Sequence, residues 1–259
     1  MKKIFVLLCY LFLACPAYAD KETIVLILTP DDSLAANKTS HVTAQLRHES
    51  DNSPVTDAEL KIVHTQKFHL LVVDPTLTDY QHIHPTPGTT PGSYVFSFTP
   101  KLAGGYRAWA DITPISTGKR QYAMADLGTP SKIGIQPNVA DSAIIGNYHF
   151  TLEFDQPPTV GQVSIGTLTV TDDKGQPVTS LNPVMGAFAH IVGFYDDYKT
   201  IVHIHPMGAE PTSDTDRGGP KLVFHLEPDR VGFIKLFAQV NLEGHDVFVP
   251  FGVNVLVNK

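Results

Sequence analysis

The sequence predicts an all-β protein built as two tandem sandwich domains, and three observations carry that expectation. The first is composition: 42% of the 259 residues are hydrophobic and 17% charged, enough apolar surface to bury a core, while 20 Pro and 19 Gly interrupt any long helix. The second is pattern: the apolar runs are short, rich in Val, Ile, Phe and Thr, and bounded by turn signals. The third is an internal repeat that divides the chain in two.

In the first copy Phe68-His69-Leu70-Leu71-Val72-Val73 is followed by Tyr80-Gln81-His82-Ile83-His84-Pro85. In the second, Ala189-His190-Ile191-Val192-Gly193-Phe194 is followed by Ile201-Val202-His203-Ile204-His205-Pro206. A lone His thus precedes His-Ile-His-Pro by 13 residues in both. Upstream, Ser53-Pro54-Val55-Thr56 parallels Gln176-Pro177-Val178-Thr179. Downstream, Tyr94 to Pro100 matches Leu222 to Pro228, and Gly104, Tyr106, Ala108, Trp109 and Ala110 match Gly232, Ile234, Leu236, Phe237 and Ala238. The second copy is longer by seven residues in the polar loop 207–220.

These matches predict a first domain over 20–137, a linker over 138–147, where Pro137, Asn138 and Gly146 break the apolar pattern, and a second domain over 148–259. The first copy reads as strands at 24–28, 42–47, 68–73, 80–84, 93–98, 105–111 and 120–125, separated by Asp51-Asn52, Asp74-Pro75, Pro91-Gly92 and Gly104-Gly105. About seven short strands in a unit of this size predict an immunoglobulin-like β-sandwich, with a cupredoxin-like barrel as the alternative.

Ahead of the first domain, residues 1–19 have the form of an export signal. Lys2-Lys3 is the positive start, residues 4–14 are apolar, and Ala17-Tyr18-Ala19 presents small residues at the two positions before a cut at Asp20. The expected location is the periplasm or the exterior. A second reading takes Cys15 as a lipoprotein anchor, although Phe12 is a poor start to such a box. Both cysteines, Cys9 and Cys15, fall in this segment, so the rest of the chain has no disulfide, thiolate nucleophile or Cys-ligated zinc. Without Lys2 and Lys3 there are 17 basic residues against 26 acidic, so nucleic acid is excluded as the default partner. Nor does any later stretch reach the roughly 18 consecutive apolar residues of a membrane helix.

The repeated histidines are the candidate chemistry. Alternation puts His82 and His84 on one face of a strand. A hairpin pairing Val73 with Tyr80 sets His69 opposite His84, and the same count sets His190 opposite His205. Cross-strand partners have Cβ atoms about 5 Å apart, so three imidazoles converge in each copy, a His₃ set of the type that holds zinc. The other histidines have no His counterpart in the opposite copy; only His69, His82, His84, His190, His203 and His205 stay in register. Imidazoles without thiolate suit copper first and zinc second. Met185 and Met207 give the second copy a softer environment, and His64 is a further ligand for the first if its strand bends, otherwise a surface residue. The structural alternative has the rings bonding loop carbonyls to hold the His-x-His-Pro corner.

No Gly-x-Ser-x-Gly elbow, phosphate loop or placed general base is present, which predicts a protein that is not an enzyme. The readings that remain are an exported transition-metal carrier, buffer or sensor, and a non-catalytic interaction or adhesion module. A zinc hydrolase ranks third.

The Lys-Lys start, the Pro-Val-Thr segments, the lone His before His-x-His-Pro and the strand Gly105-Tyr106-Arg107-Ala108-Trp109-Ala110-Asp111 resemble a loose family of secreted bacterial immunoglobulin-like domains, similar to the YtkA-like group. That resemblance implies export, a β-sandwich, and an accessory role at the cell envelope, with copper or another metal and a second envelope protein as partners. It carries over to the same six histidines.

Overall fold

The computed structural model describes residues 23–129 and 134–258. Residues 1–19, with Cys9 and Cys15, lie outside them, and at His203 and His205 only the backbone is described. The first domain contains β1 (Ile24–Pro30), β2 (Ser40–His48), β3 (Phe68–Val73), β4 (Tyr80–Ile83), β5 (Thr86–Pro87), β6 (Ser93–Phe98), β7 (Tyr106–Ile112) and β8 (Gln121–Leu127). They form two antiparallel sheets, β1-β2-β6-β5 and β4-β3-β7-β8. The second contains β9 (Ser142–Ile145), β10 (Tyr148–Phe154), β11 (Ser164–Asp172), β12 (His190–Tyr195), β13 (Ile201–His203), β14 (His205–Met207), β15 (Lys221–Leu226), β16 (Gly232–Leu242) and β17 (His245–Val255). Its sheets are β14-β15-β11-β10-β9 and β13-β12-β16-β17. The protein is therefore all-β, two immunoglobulin-like sandwiches in tandem.

Alternation builds each core. Along β2, Val42, Ala44 and Leu46 point inward while His41, Thr43 and Gln45 are more exposed. The inward residues meet Phe68, Leu70, Val72, Tyr94, Phe96 and Phe98 from both sheets. Tyr106, near the start of β7, supplies the tyrosine corner of this architecture: its hydroxyl donates to Asp79 Oδ2 at 2.7 Å and accepts from the Leu102 amide at 3.0 Å. Residues 138–147, expected as a linker, contain β9. Its Ala143 and Ile145 pack on the second core, and Ala140 bridges Gly252.

Both copies switch sheets at the His-x-His-Pro corner. Prolines have no N–H for the ladder, so the chain leaves one sheet and joins the other: β4 ends at Ile83 and β5 begins at Thr86. In the second copy the switch comes sooner, with β13 ending at His203 and β14 starting at His205.

Strand β3 does not alternate; all six of its residues are buried. A strand covered on both faces reads this way, and the second cover is the other domain. Leu71, Val73, Leu77, Tyr80 and Trp109 form one apolar cluster with Phe194, Tyr198 and Phe237. Tyr80 stacks on Phe237 with centroids 4.8 Å apart, and Trp109 lies 5.2 Å from Phe194. Polar groups at the seam are also matched across it: Tyr198 donates to the Val73 carbonyl at 2.9 Å, and Arg107 to the Tyr198 carbonyl at 2.8 Å. The contacting strands, β3 and β7 against β12 and β16, are repeat equivalents. The domains thus meet through the same face, as subunits do in an isologous dimer.

Replacing Trp109 by Ala should cost about 3–5 kcal/mol, read as a lower urea midpoint. A wild-type midpoint would show that this seam does not hold the domains together.

Candidate metal centre

His69, His82 and His84 project from the face that the two domains bury against each other. On β3, Phe68, Leu70 and Val72 enter the first core, so His69, Leu71 and Val73 face the second domain. The register Val73↔Tyr80 and Leu71↔His82 puts His82 on the same face, and His84 follows two residues later. His69 Nδ1 lies 3.1 Å from His82 Nε2 and 3.2 Å from His84 Nε2. All three ligand nitrogens lie within 4.8 Å of one another. Four nitrogens 2.0–2.1 Å from a tetrahedral ion are spaced about 3.3 Å apart. The two separations from His69 Nδ1 are close to that spacing.

Outer hydrogen bonds set which nitrogens carry lone pairs. His69 Nε2 donates to the Val63 carbonyl at 2.8 Å, which leaves Nδ1 as the acceptor. His82 Nδ1 donates to Gln239 Oε1 at 2.9 Å. That amide is oriented in turn because its Nε2 donates to Asp246 Oδ2 at 2.9 Å. His82 therefore turns a lone pair toward the lone pair of His69. Two acceptors 3.1 Å apart repel unless a cation lies between them. Burial disfavours a proton in that role: it lowers His69 to about 4 and His82 to about 3, against an ordinary 6.5. His84 is lowered by burial too, with Asp246 opposing. Near neutral pH the donors are uncharged imidazoles, the form that ligates metal.

The Val63 carbonyl comes from a tight turn closed by Val63 and Gln66, in which His64 and Thr65 both take positive φ, 47° and 69°. The second copy repeats it at Val184 and Ala187, with Met185 at 49° and Gly186 at 80°. His190 Nε2 donates to the Val184 carbonyl at 2.9 Å, the counterpart of the His69 bond. Met185 thus occupies the turn position of His64, while Met207 lies half exposed on β14.

In the second copy the backbone departs from the expected register. Phe194 pairs with Ile201, as the sequence predicts, but the expected pairing of His190 with His205 is not made. Ile204 turns into the core, 2% exposed, and His205 pairs with His225 in the opposite sheet. His203 lies opposite Val192 on β12. His190 instead faces the first domain, its ring 5.0 Å from that of His64, which is itself 6.4 Å from His69.

Sequence reasoning missed Gln239, Asp246, Asp111, Arg120 and Tyr122. The repeat held a clue: Asp111 pairs with His69 and Gln239 with His190, equivalent places beside the lone His. Asp111 accepts an ion pair from Arg120 at 2.9 Å, and burial pushes its carboxyl up to about 6. A cavity of about 50 Å³ lies between the domains, bordered by Asp111, Arg120, Tyr122 and Gln239 among others.

Residues 19–126 and 142–256 match the family described as Domain of unknown function (DUF8832). The chain belongs to that family. The DUF8832 segment is matched twice, once over each sandwich. No curated protein matches the chain in sequence. Among solved structures it is similar to the D00-D0 domain of Intimin, at 12% identity and a TM-score of 0.26 over 90% of this chain and 100% of that one. It is similar to Yersinia pseudotuberculosis InvD at 16% identity and 0.27, over 91% and 58%. For a glycosyl hydrolase family 2 member from Bacteroides cellulosilyticus DSM 14838 the values are 11% and 0.24, over 90% and 29%. The chain thus spans little more than half of InvD and under a third of the hydrolase. Among the described residues, no helix is long and apolar enough to cross a membrane.

The lowered histidines make stability depend on pH with a definite sign. As pH falls below 6.5 the unfolded chain takes up protons at His69, His82 and His190, while in the folded chain these groups stay neutral until about 4, 3 and 4. The stability they contribute is complete above about 6.5 and drains as pH falls through that window. Asp111 works against the trend, since its folded form binds a proton at about 6 and its unfolded form at 3.8. Three groups oppose one, so the urea midpoint of metal-free protein should fall between pH 7 and 4.5, and His82→Gln should flatten the fall. A level wild-type midpoint would contradict the assignment.

Proposed function

We propose that this chain is an exported, non-catalytic protein that binds a transition-metal ion through His69, His82 and His84 and serves as a metal carrier, buffer or sensor in the periplasm or outside the cell. The observation that carries this reading is the convergence of three imidazole nitrogens, two with their lone pairs set toward each other by outer hydrogen bonds. Copper is the first choice and zinc the second, because an all-imidazole set without thiolate follows the Irving–Williams order. The YtkA-like resemblance supports the same assignment, with a second envelope protein as the giver or receiver of the ion. His190, His203 and His205 are the second copy's candidate ligands under this proposal, supported by the repeat.

A non-catalytic role is favoured by the carboxylates near the triad. Asp111 is paired with Arg120, and Asp246 accepts from Gln239 and Asn241, so both are engaged in holding other groups. The alternative reading, an interaction module with structural histidines, rests on the bonds from His69 and His190 to turn carbonyls. It predicts that His82→Ala and His84→Ala lower the melting temperature equally with and without metal.

The deciding experiment is competition titration of untagged protein with Cu(I), Cu(II) and Zn(II). One ion should bind per triad, and His82→Ala should abolish tight binding while His41→Ala leaves it unchanged. Gln239→Leu should weaken affinity about 10–100-fold, as loss of an outer hydrogen bond to a ligating His does. Binding no tighter than about 100 μM (roughly −5.5 kcal/mol) in wild type would defeat the proposal.

A further inference from the structure

The geometry points to a small-anion site in the cavity between the domains, beside the triad, where a two- or three-atom anion binds the ion held by His69, His82 and His84 and is received by Arg120 and Tyr122. This inference rests on the metal reading and adds to it an exchangeable coordination position and the class of ligand that fills it.

Charge balance is the first argument. Three neutral imidazoles, with no carboxylate in the set, offset none of the charge of a divalent ion. Placing an uncompensated charge in a buried site is costly. The two nearby carboxylates are already engaged: Asp111 sits 2.9 Å from Arg120 Nε, and Asp246 accepts from Gln239 at 2.9 Å and Asn241 at 2.6 Å. The missing negative charge must enter from outside.

Shape and lining are the second. The cavity borders two of the three donors, His69 and His82, so an occupant lies next to the ion. The rest of its polar wall is His64, Tyr80, Asp111, Arg120 and Tyr122 from the first domain with His190 and Gln239 from the second. Arg120 is three-quarters buried, bonded to both Asp111 and Tyr122, so its guanidinium is held in place rather than free in solvent. A bound water needs about 10–15 Å³ of such space, and the cavity offers about 50 Å³. That admits azide, cyanide, cyanate or hydroxide and excludes an aromatic carboxylate.

The test uses full-length Cu(II)-loaded protein whose metal content is measured in the same sample. Azide should produce a saturable charge-transfer absorption, and benzoate at equal concentration should not. Arg120→Met should weaken azide about tenfold or more with copper stoichiometry unchanged. Because that variant leaves Asp111 buried without its cation, Asp111→Asn/Arg120→Met, which removes both charges, should show the same weakening. Copper bound at one equivalent with a spectrum indifferent to azide would overturn the anion site and leave the metal reading intact. Failure to bind copper or zinc at all would remove both. Azide affinity in both variants equal to that of wild type, or equal binding of benzoate, would place the anion elsewhere and overturn the assignment to this cavity.

Discussion

The arrangement depends on one packing event, the burial of the same sheet face from each repeat against the other. Leu71 and Val73 on β3, Tyr80 on β4 and Trp109 on β7 are apolar or aromatic on a face where an isolated sandwich would carry polar residues, and they are covered only when Phe194, Tyr198 and Phe237 arrive from the second domain. Aromatic contacts of this kind contribute beyond their buried area. The same event carries Gln239 to His82 and brings His190 opposite His64. Separate the domains, and the triad keeps its three rings but loses the bond that fixes the lone pair of His82.

Burial then decides the chemical state of the site. An exposed imidazole is partly protonated in mildly acidic surroundings, and a proton competes with metal for the same lone pair. Here desolvation moves His69 and His82 down to about 4 and about 3, so a proton is a weak competitor for those lone pairs near neutral pH. The fold is thereby less stable in acid, and its imidazoles are in the form that could hold a metal ion at neutral pH.

Much of this was legible in the sequence, for reasons that are local. The loop between Val73 and Tyr80, and its counterpart between Phe194 and Ile201, fixes hairpin register by residue count alone, and both pairings are observed. From register and alternation the His69–His82–His84 cluster follows. The earlier sheet switch in the second copy was not legible, because Pro206 says only that a ladder must end. Where it ends depends on Ile204 finding space in the core. His64 is exposed, as the sequence suggests, but nothing local reveals the tight turn that aims its ring at His190. Gln239 was out of reach for a plainer reason: its bond to His82 spans 157 residues and exists only across the domain seam. The apolar run of β3 was the one hint of that seam in the chain itself.

Divergence of the repeat explains why one triad is assembled so completely. Asp111 and Gln239 occupy equivalent places, each paired across the ladder with the lone His of its copy. A carboxylate in place of the Gln239 amide would add a full negative charge beside a buried ring. That charge would favour imidazolium and raise the His82 pKa toward the range where protons displace metal. A Gln accepts the Nδ1–H of His82 without the charge, and its amide protons remain available for Asp246, which locks its orientation. At position 111, by contrast, a carboxylate is tolerated because Arg120 neutralises it at 2.9 Å. Two copies of one sheet face have thus taken different polar residues at one position, and the difference lets burial keep His82 neutral, with no charge at 239 to oppose it, while a cation, Arg120, lines the same cavity.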